Sequence, residues 1–210
     1  MKESKVISVF KKLTEQYKNS KTELKYTNNF TFLVSVVLSA QSTDVSVNKA
    51  TKDLFKVASN PKDFLKLGEI RLKKYIKTIG LYNSKSKNIM SLCEILIEEH
   101  NSKVPYEFEK LVKLPGVGNK TASVFQNAIL NKPKIAVDTH VFRVSNRIGL
   151  ASENNVDKTQ HKLEKIIPLK WKYKAHHQLI LHGRRVCKAR KPLCISCCLK
   201  SLCLYKEKNL

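Results

Sequence analysis

The sequence has no apolar run long enough to cross a bilayer and almost no alternating pattern typical of strands. Its longest apolar stretch, residues 30–40, is about half as long as a transmembrane helix and includes the hydroxyl side chains Thr31, Ser35 and Ser39. It is predicted to form a buried helix. The N-terminal residues also lack the apolar core and small-residue cleavage site of a secretion signal. We therefore expect a cytoplasmic protein with no membrane partner.

Acidic residues are scarce. The chain has 17 Asp and Glu against 40 Lys and Arg, which gives a formal net charge of +23 at pH 7. A charge of this size exceeds what solubility requires and destabilises a compact state through self-repulsion unless an anionic partner neutralises it. A nucleic acid is the simplest such partner. Because AT-rich genomes also enrich Lys and Asn, the composition alone leaves a purely compositional explanation open.

Apolar residues recur at helical spacing through most of the chain, as between Val6 and Tyr17. Asn60 and Pro61 can cap and start one helix, and Ser84 is predicted to cap the helix that follows Gly80. These patterns predict about ten short helices and little or no sheet, which is an all-α fold.

Five of the six cysteines lie close together near the C-terminus, and four of them have the spacing Cys-x6-Cys-x2-Cys-x5-Cys. Disulfides are disfavoured in the cytoplasm, so metal ligation is the better interpretation. Four thiolates can hold zinc or a cubane iron–sulfur cluster, and only one close pair typical of a zinc ribbon is present. The spacing therefore predicts a metal site, with both metals open, whose ligands are Cys187, Cys194, Cys197 and Cys203.

The remaining cysteines are assigned other roles. Cys198 directly follows a predicted ligand and could replace it, but we interpret it as an additional cysteine outside the ligand set. Cys93 shares an apolar helix face with Ile89 and Leu96 and is predicted to pack in the core. Between the first two predicted ligands lies the basic run 188–191, which either contacts phosphates or forms a solvated surface.

The segment from Leu111 to Ala122 is predicted to form two helices joined by a Pro-Gly-Val-Gly turn, with the first helix ending near Leu114. Gly116 and Gly118, on either side of Val117, allow close approach of the backbone to a ligand. The amides of this turn, at the N-terminus of the second helix, can bind a phosphate. A turn that only ends a helix needs one glycine, so the doubled Gly-x-Gly favours phosphate binding.

Two ionisable residues are candidates for catalysis. Lys120 is predicted in the first turn of the second helix, where the helix dipole disfavours an ammonium and so favours a nucleophilic amine. A lysine can form a Schiff base at a deoxyribose C1′, although a simple phosphate contact is the alternative role. Asp138 is expected to cap the following helix, and its carboxylate could also stabilise positive charge or assist proton transfer.

Five segments together resemble the endonuclease III family of helix-hairpin-helix DNA glycosylases. They are residues 38–44, 79–85, 114–122 and 137–144 and the cysteine tail, so the resemblance covers essentially the whole chain. It implies a base-excision repair enzyme that removes oxidised pyrimidines and cleaves the abasic strand. By this resemblance Lys120 is the Schiff-base nucleophile, Asp138 is its acidic partner, and the four tail cysteines are ligands of a [4Fe-4S] cluster.

The resemblance also implies two helical lobes. One is a central helical barrel at residues 22–132 that contains the hairpin, and the other comprises residues 1–21 and 133–210, with an iron–sulfur loop at 187–203. The expected partner is double-stranded DNA with damaged bases or abasic sites, bound by a monomer at the nucleoid. Such enzymes extrude the damaged nucleotide, and Gln41 and Leu81 match family positions that fill the vacated stack. The other predicted DNA contacts are Gly116, Val117, Gly118, His140, Arg143, Arg184 and Lys191.

Two departures and two alternatives accompany this interpretation. Asn119 occupies the position where the family pattern has a basic residue, and Cys198 is additional. An adenine-specific mismatch glycosylase of the same fold is the first alternative, and Lys120 argues against it. The second is a non-enzymatic DNA-binding module, which would need neither Lys120 nor Asp138. For His140, a capping or structural role is an alternative to a catalytic one.

Overall fold

The computed structural model describes residues 3–18, 20 and 22–209, and these residues form eleven helices and no β-strand. The all-α prediction is confirmed. The chain divides into two compact units, which we call the central unit (Glu23–Leu130) and the terminal unit (Met1–Thr22 with Asn131–Leu210). Within the described residues, no helix is both long enough and apolar enough to span a membrane.

The central unit has its own apolar core, built around one helix that is buried on nearly all sides. That helix, α2, contains the apolar run expected to be buried, and its residues from Phe30 to Leu38 are all buried. Asn28 and Thr31 form a reciprocal capping box at its start, which satisfies two of the exposed amides. The helices of this unit are α2 (Asn29–Ser39), α3 (Asp44–Val57), α4 (Pro61–Leu67), α5 (Glu69–Ile76), α6 (Tyr82–His100), α7 (Phe108–Leu111) and α8 (Asn119–Leu130).

The helix starts of the central unit test two local predictions. Asn60 caps α4 by accepting a hydrogen bond from the Asp63 amide, and Pro61 is the first helical residue, as predicted. The Ser84 prediction is wrong. The helix α6 begins two residues earlier, after Leu81, whose backbone is left-handed with φ of 58° and whose carbonyl accepts the first helical hydrogen bond.

The terminal unit packs four helices around a second core: α1 (Glu3–Gln16), α9 (Thr139–Ile148), α10 (Val156–Ile166) and α11 (Leu169–Arg185). The buried face of α1 is an apolar stripe at helical spacing, and Phe10 stacks near Trp171 of α11. Close to the end of α11, a Cβ at Gly183 would lie 2.9 Å from the Cβ of His140. Glycine is therefore required for α9 and α11 to approach so closely.

Candidate active site

The hairpin turn lies between α7 and α8, and α7 ends at Leu111, three residues before the predicted end. Gly116 has φ of +78°, and a Cβ there would lie 3.2 Å from side-chain carbons of Val37 and Asn88. Glycine is thus needed at 116 both for the backbone conformation and for packing against α2 and α6. A Cβ at Gly118 would meet no atom within 4 Å, so this side of the turn is open to a ligand.

Val117 anchors the hairpin from inside. Its side chain is buried in the central core, and its N–H donates to the Leu114 carbonyl at 3.0 Å. Gly118, by contrast, is exposed, and its carbonyl accepts the first hydrogen bond of α8 from Ala122. The first amides of a helix have no acceptor within it, and such a helix start is a typical anion-binding site.

Lys120 is the second residue of α8 and is exposed. Ala122 and Phe125 of the same helix are fully buried and fix its orientation in the central core. Since Ala122 lies about 200° around the helix from Lys120, the lysine side of the helix start faces away from that core. The prediction that Lys120 occupies the first turn is confirmed. A primary amine is thereby placed beside the amides of a helix N-terminus.

Asp138 is the N-cap of α9, as predicted. Its Oδ1 accepts a hydrogen bond from the Val141 amide at 2.8 Å. Two residues further on, partial burial lowers the pKa of His140, although the nearby Asp138 carboxylate partly opposes this effect. The Nδ1 of His140 is 3.2 Å from the Nη2 of Arg143, so a hydrogen bond to Arg143, one turn further along α9, holds the imidazole on the helix surface.

Arg143 connects α9 to the end of α11. Its Nε donates to the Cys187 carbonyl at 3.1 Å, and its Nη2 donates to the Gly183 carbonyl at 3.0 Å. Four of its five N–H donors face the protein when the contacts with His140 and with the Thr139 carbonyl are included. These contacts favour a structural role for Arg143, that of holding the first cysteine of the tail, over the DNA contact that the resemblance implies.

Gln41 and Leu81 lie on two adjacent loops of the central unit. Both residues are exposed and both have left-handed backbones, with φ of 55° and 58°. The loops touch at Gly80, where a Cβ would lie 3.4 Å from the Gln41 carbonyl oxygen. A non-glycine residue in this conformation costs about 1–3 kcal/mol, and such strain is concentrated at ligand-binding sites.

The four predicted cysteine ligands line a single pocket in the terminal unit. The apolar side chains Ile148, Val186, Leu193 and Leu199 complete most of its wall. Cys198 is not among the described residues that line this pocket. It packs against the terminal core, where burial raises its pKa to about 11, so the structure agrees with its exclusion from the ligand set.

Hydrogen-bond donors from two helices approach the pocket. An Arg147 Nη1 is 3.6 Å from the Cys187 sulfur, and the His182 Nε2 is 3.5 Å from the Cys197 sulfur. Burial, together with the neighbouring cysteines, raises the pKa of Cys197 and disfavours its thiolate unless a cation is present. Among the described residues, no three His, Cys, Asp or Glu side chains are arranged to hold one metal ion.

Arg147 also shapes the basic run after Cys187, a role that sequence reasoning missed. It donates to the carbonyls of Lys188 and Ala189 at 2.7 and 3.0 Å, and its guanidinium lies 4.3 Å above the Tyr205 ring. The cations of this surface are exposed: Arg184, Arg185, Lys188, Arg190 and Lys191. The loop backbone is thus fixed from inside while its basic side chains face solvent.

Comparison with known proteins gives concordant matches. Residues 34–169 match the model of the HhH-GPD superfamily of base excision DNA repair proteins. The chain is 54% identical to Endonuclease III of Rickettsia conorii, over 95% of both chains, and 50% identical to Endonuclease III of Escherichia coli, over 99% of both. Its fold matches a trapped Endonuclease III–DNA covalent intermediate with a TM-score of 0.92 and 40% identity, over 97% of this chain and 96% of that one. The chain belongs to the endonuclease III family of the HhH-GPD superfamily.

Proposed function

We propose that this protein is a bifunctional DNA glycosylase and abasic-site lyase that removes oxidised pyrimidines from double-stranded DNA. The observation that carries the proposal is the exposed Lys120 amine at the N-terminus of α8, directly after the Gly-x-Gly turn. In a related structure that matches 97% of this chain, an Endonuclease III is covalently trapped on DNA. An amine held beside a phosphate-binding turn is suited to attack the sugar next to that phosphate.

In the proposed mechanism, the Nζ of Lys120 in its neutral form attacks the deoxyribose C1′. The C1′–N bond to the damaged base breaks, and the base leaves with the bonding electron pair and takes up a proton. Opening of the sugar ring then gives an imine between C1′ and Nζ. Loss of a C2′ proton expels the 3′ phosphate by β-elimination, and hydrolysis of the imine restores Lys120.

Asp138 is the proposed acidic partner in this chemistry. One oxygen of its carboxylate accepts a hydrogen bond from the Val141 amide, so the carboxylate is held in one orientation at the start of α9. A fixed carboxylate can stabilise the positive charge that develops on the sugar as the base leaves, and it can transfer protons during elimination. The N-cap role and the catalytic role are therefore compatible.

DNA binding is assigned to two surfaces and two wedge residues. The amides at Gly118 and the start of α8 bind a backbone phosphate, and the exposed cations Arg184 and Lys191 bind others. Gln41 and Leu81 enter the stack that the extruded nucleotide vacates. The buried Val117 supports the hairpin turn from within, and Arg143, which donates to the Gly183 carbonyl, supports the basic surface.

Cys187, Cys194, Cys197 and Cys203 are the proposed ligands of a [4Fe-4S] cluster. The four sulfurs share one pocket with apolar walls, and a cubane cluster is held by four such cysteine thiolates. When bound, the cluster would supply a covalent cross-link of the tail, which fixes the basic run between the first two cysteines.

Borohydride trapping tests the proposal. The wild-type protein and a Lys120→Gln variant are incubated with a duplex that contains one oxidised pyrimidine. The wild type should give a covalent adduct and the variant should bind DNA without forming one. Lys113→Gln, which removes a charge from the exposed segment between α7 and α8, should retain adduct formation at saturating protein. Intact DNA binding without an adduct in the wild type would instead indicate a monofunctional glycosylase or a binding module.

A further inference from the structure

Lys85 is a buried lysine in the central unit that the mechanism above does not use. Its side chain is only 5% exposed, and lysine is rarely buried to this extent without a specific partner. The Nζ donates to the Leu38 carbonyl at 2.9 Å, the Ala40 carbonyl at 2.5 Å and the Ser42 hydroxyl at 3.1 Å. All three donors of the ammonium are therefore satisfied, and all three acceptors are neutral oxygens.

The ammonium lies at the C-terminal end of α2, where the last carbonyls of the helix have no partner within it. A cation is favourable there because the helix dipole is negative at this end. Burial lowers the pKa of Lys85, because the ammonium loses hydration at this site and its charged form is disfavoured. An apolar side chain would avoid this cost of desolvation but would leave the buried Leu38 carbonyl, the Ala40 carbonyl and the Ser42 hydroxyl without this donor.

The bonds of Lys85 connect the two loops that carry the wedge residues. Its acceptors at Ala40 and Ser42 are the immediate neighbours of Gln41. At its other end, the Lys85 amide donates to the Leu81 carbonyl at 2.9 Å and closes the first turn of α6. One residue thus holds the Ala40 carbonyl and the Ser42 hydroxyl, on either side of Gln41, together with the Leu81 carbonyl.

We propose that Lys85 is a positioning residue for nucleotide extrusion: it locks the loops of Gln41 and Leu81 in their left-handed conformations, ready to enter the DNA stack. This inference rests on the proposed function. Two strained, exposed residues can displace a base pair only if their backbones keep the same conformation when the side chains enter the DNA stack. The buried ammonium supplies this resistance because it ties the Gln41 loop and the end of α2 to the first turn of α6, which the Lys85 amide closes at Leu81.

The first experiment compares Lys85→Met with Lys87→Met, which removes the same charge from an exposed position two residues away. Single-turnover adduct formation is measured on a duplex with a base-paired oxidised pyrimidine and on the same strand with that nucleotide already unpaired in a bubble. Lys85→Met should be slowed about tenfold on the paired substrate and less than about twofold on the bubble. Lys87→Met should match the wild type on both. Equal slowing of Lys85→Met on both substrates, or no slowing, would overturn the inference.

A double-mutant comparison separates positioning from general destabilisation. In a Gln41→Ala, Leu81→Ala background the wedge side chains are absent, so adding Lys85→Met should change the paired-substrate rate by less than about twofold. An unchanged tenfold effect in that background would show that Lys85 does not act through these residues. If Lys85→Met does not fold, Ser42→Ala removes one of the three bonds, and its slowing should again be confined to the paired substrate.

A fluorescence readout keeps this inference distinct from the proposed chemistry. The base 2-aminopurine, placed beside the lesion, becomes brighter when stacking is lost, whether or not an imine forms. Wild type and Lys87→Met should increase its fluorescence more than Lys85→Met does at saturating protein. The same increase in all three would overturn the role of Lys85. A wild type that brightens the probe but forms no adduct would overturn the lyase proposal alone.

Discussion

Gly116 combines two requirements that no other residue meets. Its φ of +78° is unfavourable for a residue with a side chain, and the space around it is already filled by Val37 and Asn88. The nearby Gly118 has neither restriction, because a Cβ there meets nothing within 4 Å. The two glycines of the turn therefore serve different purposes: Gly116 allows packing against α2 and α6, and Gly118 leaves room for a ligand.

A pair of substitutions should separate these purposes. Gly116→Ala should lower the free energy of unfolding by about 1–3 kcal/mol, since it adds backbone strain and a tight contact. Gly118→Ala should change it by less than about 0.5 kcal/mol but should weaken binding to duplex DNA, because the methyl group occupies the approach to the α8 amides. Urea unfolding and fluorescence anisotropy measure the two effects. Equal losses of stability would contradict this assignment.

At the scale of the element, α9 carries several parts of the site along one helix. Asp138 caps its first turn, while Arg143 and Arg147, one turn apart, bond the tail at Cys187 and Lys188. The helix thus links the proposed acid to the cysteine loop by a rigid connection of ten residues. Changes at either end can be tested for their separate effects on chemistry and on the loop.

Substitutions of Asp138 should distinguish its two roles. Asparagine is also a good N-cap, so Asp138→Asn should retain stability but lose the carboxylate, and the rate of adduct formation should fall about a hundredfold or more. Asp138→Ala should lose the cap as well, at a further cost of about 1 kcal/mol in unfolding free energy. Single-turnover kinetics and urea unfolding give the comparison. Full activity in Asp138→Asn would leave only the capping role.

Arg147→Met should loosen the cysteine loop. The variant loses the bonds to the Lys188 and Ala189 carbonyls and the contact with the Cys187 sulfur. Loss of a group that supports a metal ligand typically lowers metal affinity by about 10–100-fold. The absorbance of the proposed cluster at about 400 nm should therefore bleach at least several times faster in the variant when a chelator is present. Arg190→Met, which removes an exposed cation of the same loop, is the control. Identical bleaching rates would argue against this support.

Helix starts and core helices could be predicted because their causes are local. The caps at Asn60 and Asp138 are bonds to amides three residues ahead, and the burial of α2 follows from its continuous apolar run. Ser84 misled the prediction because the left-handed backbone at Leu81 starts α6 earlier. The side-chain partners of Lys85 and Arg147 lie 40 or more residues away in the chain, and no local pattern encodes such contacts.

At the scale of the whole molecule, five of the 40 Lys and Arg residues fall within residues 184–191, and all five are exposed. Basic side chains follow the end of α11 and the cysteine loop, and they are exposed while the backbone beneath them is bonded internally. Fixing the backbone in advance reduces the entropy that phosphate binding must overcome. Much of the affinity for DNA should therefore be electrostatic and independent of sequence.

The affinity for undamaged duplex should depend steeply on salt. If six or more phosphates are neutralised, affinity should fall by about a thousandfold between about 50 and 200 mM salt. Arg184→Gln and Lys191→Gln should each reduce the slope of log affinity against log salt concentration by about 0.9. Anisotropy titrations at several salt concentrations measure this slope. A slope near zero in the wild type would show that the charge does not act on phosphates.

The terminal unit is made of two stretches of chain with the whole central unit inserted between them. During synthesis on the ribosome, α1 emerges first, but α11, which covers its buried face, follows only after some 150 further residues. At ordinary translation speeds this delay is roughly ten to thirty seconds. Throughout that interval the apolar face of α1, formed by Val6, Val9, Phe10 and Leu13, lacks the α11 surface that covers it, so α1 should stay unpacked, and open to chaperone binding, while the central unit folds.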